Sequence, residues 1–197
     1  MKSQIYYQNE CLKTLKHSCP EIILGVRMAM LGCDRIGVNP SSRNGKSNLL
    51  VYVESERCLT DAISIVTGCR IGMRTMKFFD YGISAATFLD PKTKRSVRVL
   101  AKDSGKQTAE THIPRSENNP ERLKKAYAMM SDAELFDVQD ELTINVDFYD
   151  LPGMTKKRIA CDSCGVIVND NRQVVVDKNV YCRPCYNGGY WVMLPSA

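Results

Sequence analysis

The chain has 197 residues, 44% of them apolar and 25% charged, and a net charge of +5 from 27 basic and 22 acidic side chains. Those figures are those of an ordinary soluble globular protein with room for one well-packed domain and a small appendage. No apolar run is long enough to span a bilayer, and MKSQIYYQNECLK has no signal-peptide core, so a cytoplasmic protein without a membrane partner is expected. Nine cysteines in a reducing compartment, an odd number, point to metal ligands and free thiols and not to a disulfide framework.

Residues 1 to 16 read as an amphipathic lead-in with Ile5, Leu12 and Leu15 as apolar positions and Cys11 as a packing residue. His17-Ser18-Cys19-Pro20 then opens a helix: Ser18 or Cys19 can cap it, Pro20 suits its first position and Gly32 can end it. This helix is apolar nearly all round and is expected at the centre of the core. Gly25 within it implies a close backbone neighbour, and Arg27 either snorkels outward or reaches an anion near His17. Residues 34 to 48 form a polar loop without P-loop spacing.

Val51-Tyr52-Val53 alternates as a strand, and the run around Ala62, Ile63, Ile65 and Val66, closed by Gly68, reads as a short helix capped by Ser55 or Thr60. Cys58 falls in or just before its first turn and Asp61 follows three residues later. The helix dipole there favours thiolate, the form that attacks electrophiles and binds metal, and Cys58 is otherwise a small packing residue. Cys69, between two glycines, is a packing residue or a partner thiol for Cys58.

Further strands are expected at 76–79, 83–89 and 96–101, with a turn at 90–93 and a solvated, basic face around Arg98. His112 has no set of ligands at metal spacing and reads as structural. A helix follows Asn119-Pro120, Ser131 to Glu134 is a capping-box pattern, and the strict alternation from Glu141 to Phe148 predicts a half-buried strand closing a main domain of residues 1–150.

Residues 151–197 hold the clearest motif. Cys161-x-x-Cys164 and Cys182-x-x-Cys185 stand 17 residues apart, the spacing of a closed structural zinc site, with a hairpin expected between Val166–Val168 and Val174–Val176. So small a module buries too little apolar area to fold alone, so the metal supplies much of its folding free energy. From Lys156 onward six basic residues face three acidic ones, which permits contact with nucleic acid without requiring it.

Three groups of residues together resemble the FmdE family of formylmethanofuran dehydrogenase: His17-x-Cys19-Pro20 with Leu24 to Ala29, Cys58-x-x-Asp61 with Thr67-Gly68-Cys69, and the terminal Cys-x-x-Cys pairs. Leu15 stands where family members commonly carry the first histidine of a His-Gly-His-x-Cys-Pro run. The resemblance implies an α+β core, a treble-clef-like zinc finger at the carboxy end and a homodimer. Nothing in the chain is suited to hold the tungsten or molybdenum pterin of the parent enzyme, so this is not its pterin-bearing catalytic component.

The leading reading is a cytoplasmic zinc-binding protein with a second site at His17, Cys19 and Cys58, where Cys58 and Asp61 are the catalytic candidates. Whether it is an enzyme, an accessory component or a member of a protein complex stays open. The alternative is an interaction or regulatory protein whose finger docks a protein or, less favoured, nucleic acid.

Overall fold

A computed structural model describes residues 1–40, 49–114 and 120–192. Residues 41–48 of the polar loop, Asn119 and the last five positions therefore lie outside the described residues. The chain divides into two compact units, Met1–Asn145 and Val146–Ala197.

The first unit is α+β. Helices α1 (Gln4–Leu15) and α2 (Pro20–Arg35) precede strand β1 (Leu50–Val53), helix α3 (Cys58–Thr67) and strands β2 (Met76–Phe78), β3 (Ala85–Leu89) and β4 (Ser96–Ala101). Helices α4 (Gly105–His112), α5 (Pro120–Met129) and α6 (Asp132–Leu135) lead to strand β5 (Phe136–Asp140). Among the described residues the five strands form one mixed sheet in the order β2-β1-β3-β4-β5, parallel between β1 and β2 and antiparallel elsewhere.

Val51, Val53, Ala86, Phe88, Val97, Val99 and Phe136 present one sheet face to the core, and Ile22, Val26, Met28, Ala29 and Cys33 of α2 are buried with them. The central position expected for α2 holds. Its end differs: the helix runs to Arg35, because Gly32 is a packing position and not a cap. A methyl at residue 32 would stand 2.2 Å from the Phe88 ring, and the left-handed residue after the helix is Gly37, at φ 73°.

Arg27 neither snorkels nor reaches His17. Its guanidinium donates to the Tyr127 and Met130 carbonyls, closing the end of α5, and to Asp132 at 2.5 Å. Arg98 also departs from the solvated-face expectation. It forks onto Glu54 with bonds of 2.7 and 2.6 Å, a largely buried bidentate pair on the second face of the sheet.

The strand expected at 141–148 lies instead at Phe136–Asp140, paired residue for residue with Val97–Ala101. Glu141, at φ 59°, turns the backbone out of the ladder, and the alternation beyond it survives only as alternate half-burial in an irregular segment. Helix α4, which no sequence pattern announced, carries His112 at its end, where Nε2 meets Glu134 Oε1 at 2.7 Å.

In the second unit, a 3-10 turn at Phe148–Asp150 precedes strands β6 (Arg158–Ala160), β7 (Ile167–Asn169), β8 (Val174–Val176) and β9 (Asn179–Tyr181) and helix α7 (Arg183–Asn187). The turn belongs here, since Arg172 pairs with Asp150 and the Lys156 ammonium lies over the Phe148 ring. The valine runs do not pair with each other as expected. β7 pairs with β6 and β8 with β9, because positive-φ Asp170 and Asn171 turn the chain after β7 and Asp177 and Lys178 form the tight turn of the second hairpin. Knuckle, hairpin and helix in that order make the unit treble-clef-like.

Candidate metal centres

The first cluster gathers from the loop before α2 and the start of α3. Cys19 is the N-cap of α2, in extended backbone at φ −144°, and Cys58 is the first residue of α3, after Arg57. Neither Ser55 nor Thr60 caps α3: Thr60 Oγ1 donates to the Ser55 carbonyl at 2.6 Å, and the buried Ser55 hydroxyl has no partner. The two helices start side by side, which brings one ligand atom each from His17, Cys19 and Cys58 within 4.8 Å of one another. His17 is exposed and the two thiols are partly so.

Residues that sequence reasoning missed hold this arrangement. Lys124 of α5 donates to Ser18 Oγ at 2.9 Å, between His17 and Cys19, and also pairs with Glu121. No local signal marks Lys124, because Ser18 and Lys124 meet only through the packing of α2 on α5. Asp61, exposed one turn beyond Cys58, is outside the group of three and lies near enough to Cys11 to act on its thiol. Burial first, then Glu10 and Asp61, push Cys11 up to about 11, as befits a packing residue.

Cys58 departs from the thiolate expectation. Burial first, then the hydrogen bond and charge shared with Cys19, and then Glu21, push its thiol up. Burial and the neighbouring sulfur together resist the negative charge more strongly than one helix start favours it. A cation between them removes that conflict, because a coordinated thiol is deprotonated outright. Cys69 is no partner for Cys58. It is fully buried at the far end of α3, roughly 15 Å along the helix by its rise, with its sulfur donating to the Leu49 carbonyl at 3.5 Å.

The second cluster is Cys161, Cys164, Cys182 and Cys185, whose sulfurs also lie within 4.8 Å of one another. Gly165, at φ 74°, closes the first knuckle by donating to the Cys161 carbonyl at 2.8 Å, and Cys182 caps α7 by accepting from the Cys185 amide at 3.4 Å. Asp162, one of the unspecified positions of the motif, fastens the knuckle to β9. Its amide donates to the Val180 carbonyl at 2.8 Å, and its carboxylate accepts from the Val180 amide at 2.6 Å.

The donor set fits a tetrahedral ion. Two thiolates about 2.3 Å from one zinc stand about 3.8 Å apart, and Cys164 Sγ lies 3.8 Å from Cys182 Sγ. The Cys182 backbone amide, then those of Cys164 and Ser163, draw Cys161 down to about 6, while the Cys182 thiol first, with Cys164 and Cys161, drives Cys185 up to about 12. Sulfurs so split in proton affinity are crowded acceptors that a metal ion equalises.

A family profile described as "FmdE, Molybdenum formylmethanofuran dehydrogenase operon" matches residues 16–140. The chain is 26% identical over 193 residues to a protein of Archaeoglobus fulgidus named as a probable S-adenosyl-L-methionine-binding protein, covering 90% of this chain and 51% of that relative. It therefore spans about half the length of the curated relative it matches. A crystal structure of a tungsten formylmethanofuran dehydrogenase FmdE-like protein from Syntrophus aciditrophicus shares the fold, with a TM-score of 0.59, 16% identity and coverage of 97% of this chain and 96% of that one. Among the described residues no helix is long and apolar enough to cross a membrane.

Proposed function

The chain belongs to the FmdE family, and from that premise we propose a cytoplasmic zinc-binding protein with a structural ion in its four-cysteine unit and a second, ligand-accessible ion on His17, Cys19 and Cys58. The observation that carries this reading is the meeting of an imidazole and two thiols from elements far apart in sequence. Four thiolates close a coordination sphere, so the ion in the second unit is architectural. Three side chains leave a position open, and zinc held that way supplies Lewis-acid chemistry to an entering ligand.

The chain's own residues orient that ligand. Lys124 fixes the His17–Cys19 segment through Ser18, and α3 presents Cys58 at its first position. Asp61 is offset by three residues from Cys58 and so shares its helix face; we assign it to accept a proton from the bound ligand. The name of the Archaeoglobus fulgidus relative makes S-adenosyl-L-methionine, with its chelating amino and carboxylate groups, the first organic ligand to offer this site. A homodimer, implied by the family resemblance, is part of the same reading.

Elemental analysis of purified wild type, Cys58→Ser and Cys164→Ser tests the proposal. Two zinc ions per chain in the wild type, with the core ion missing from Cys58→Ser, is the expected result. One ion in both wild type and Cys58→Ser would overturn the core site and leave the finger.

A second reading, docking through the finger, is favoured by the exposed rings of Tyr186, Tyr190 and Trp191, the last two in edge-to-face contact at 4.8 Å. Salt-dependent retention on single-stranded nucleic acid would support that reading with a nucleic-acid partner, since phosphate contacts release counterions.

A further inference from the structure

We propose that Cys19 and Cys58 are a disulfide-forming pair, so that the core cluster is also a redox site that a peroxide-class oxidant closes and a thiol reductant reopens. The inference deepens the reading of this cluster as a metal site, yet the bond itself needs no metal.

Three observations carry it. The two sulfurs are near neighbours, both within the group whose ligand atoms lie within 4.8 Å of one another. A disulfide bond is about 2.05 Å long, so side-chain rotation has little distance to cover. Cys19 is well placed for that rotation, since an N-cap in extended backbone has no preceding helical turn to confine its side chain.

Access selects the same pair. Cys11, Cys33 and Cys69 are wholly buried, whereas Cys19 and Cys58 are partly exposed. In the second unit the sulfurs form a complete set of four around one point, which leaves no thiol over once an ion is held. In the core unit, the close backbone contact of α2 and α3 at Gly25 and Leu59 keeps the helix starts together and limits competing partners.

The chemistry balances in two steps. One sulfur, as thiolate, attacks the distal oxygen of a peroxide. The O–O bond breaks, the leaving oxygen takes up a proton and departs as an alcohol (water for hydrogen peroxide), and the sulfur becomes a sulfenic acid. The second sulfur attacks the first, the S–S bond forms, and the sulfenic oxygen leaves as water with the second thiol's proton. Two electrons pass from the sulfur pair to the peroxide. A disulfide cannot supply two thiolate ligands, so closing the pair and holding an ion at this cluster exclude each other.

The test uses hydrogen peroxide on the full chain, stripped of metal or supplied with excess zinc, followed by non-reducing tryptic mapping. Cleavage after Lys16 and Arg27 and after Arg57 and Arg70 gives peptides 17–27 and 58–70. The expected product in the stripped protein is these two peptides joined and lighter by two hydrogens, absent in Cys58→Ser even though Cys69 shares the second peptide. In Cys19→Ser, Cys58 should instead carry a sulfenic acid that a dimedone probe traps.

The proposal is overturned if the stripped wild type yields both peptides unlinked, whether untouched or over-oxidised, or if the link persists in Cys58→Ser. Linking to the same extent with and without zinc would keep the disulfide and sink the core metal site. A core ion lost in Cys58→Ser, with no link in the stripped wild type, would do the reverse.

Discussion

A methyl group on Gly25 of α2 would lie 2.4 Å from the carbonyl oxygen of Leu59 in α3, so the two helices touch backbone to backbone one residue beyond Cys58. Ala62 Cβ, at 2.8 Å from the same point, closes the other side. Rigid backbone cannot swing away as a side chain can. Gly25→Ala therefore costs about 1–3 kcal/mol of stability as overpacking and displaces Cys58 from Cys19. Urea unfolding measures the first effect, and the zinc count of the folded variant measures the second. A variant of wild-type stability would refute the close approach.

Metal removal is expected to unfold one unit and spare the other. With a chelator, backbone amides of 146–192 should lose their dispersed NMR shifts, because that unit has little apolar burial besides Cys161 and Cys182. The amides of β1, β3 and β4, which lie in a packed core, should keep theirs. Uniform collapse of both sets would contradict this.

Glu134 gives the core an acid-sensitive joint. Hydrogen bonds from His112 first, then from the Ser131 hydroxyl and amide, hold its carboxyl at about 2 against an ordinary 4.5. A depressed carboxylate adds stability that is complete above its unfolded value and is lost as pH falls through its folded value. Unfolding free energy should thus decline between pH 4.5 and 2, and Glu134→Gln should decline less steeply over that window. Parallel pH profiles from chemical denaturation would rule this role out.

Arg27 closes the C-terminal end of α5 from another helix. Arg27→Met keeps much of the apolar stem but leaves the Tyr127 and Met130 carbonyls without their donor. The expected loss is about 2–3 kcal/mol, read by urea unfolding. Asp132→Asn should cost under about 1 kcal/mol, since that carboxylate is half exposed.

The features legible in the sequence were those written in short-range spacing. The two Cys-x-x-Cys pairs, the Ser131 to Glu134 capping box and the apolar character of α2 each need only local residues: the four sulfurs gather, the box forms, and α2 is buried at the centre although it runs past Gly32. What could not be read depends on register and on distant partners. The alternation from Glu141 onward is a genuine period-two pattern, but β4 pairs with the segment before it. Gly32 looks like a stop until Phe88, from another strand, is packed over it. His17, Cys19 and Cys58 could be nominated as a group, while Lys124, which donates to Ser18 between the first two, belongs to a helix that only packing brings near.

The two cysteine clusters differ in the length of chain that must be closed to make them. Each knuckle of the second unit brings its two sulfurs together across one short turn, so a chain with no tertiary structure already offers bidentate sites. Cys19 and Cys58 stand roughly forty positions apart and meet only after α2 has docked on α3, a long-range closure whose entropy must be met first. The core sequence leaves the ribosome ahead of the knuckles, and its three-residue cluster is assembled by folding alone. The knuckles follow the core sequence, able to capture an ion before they are folded. Topology thus orders the two proposed sites: an ion at the core has to follow folding, whereas one at the finger can precede it.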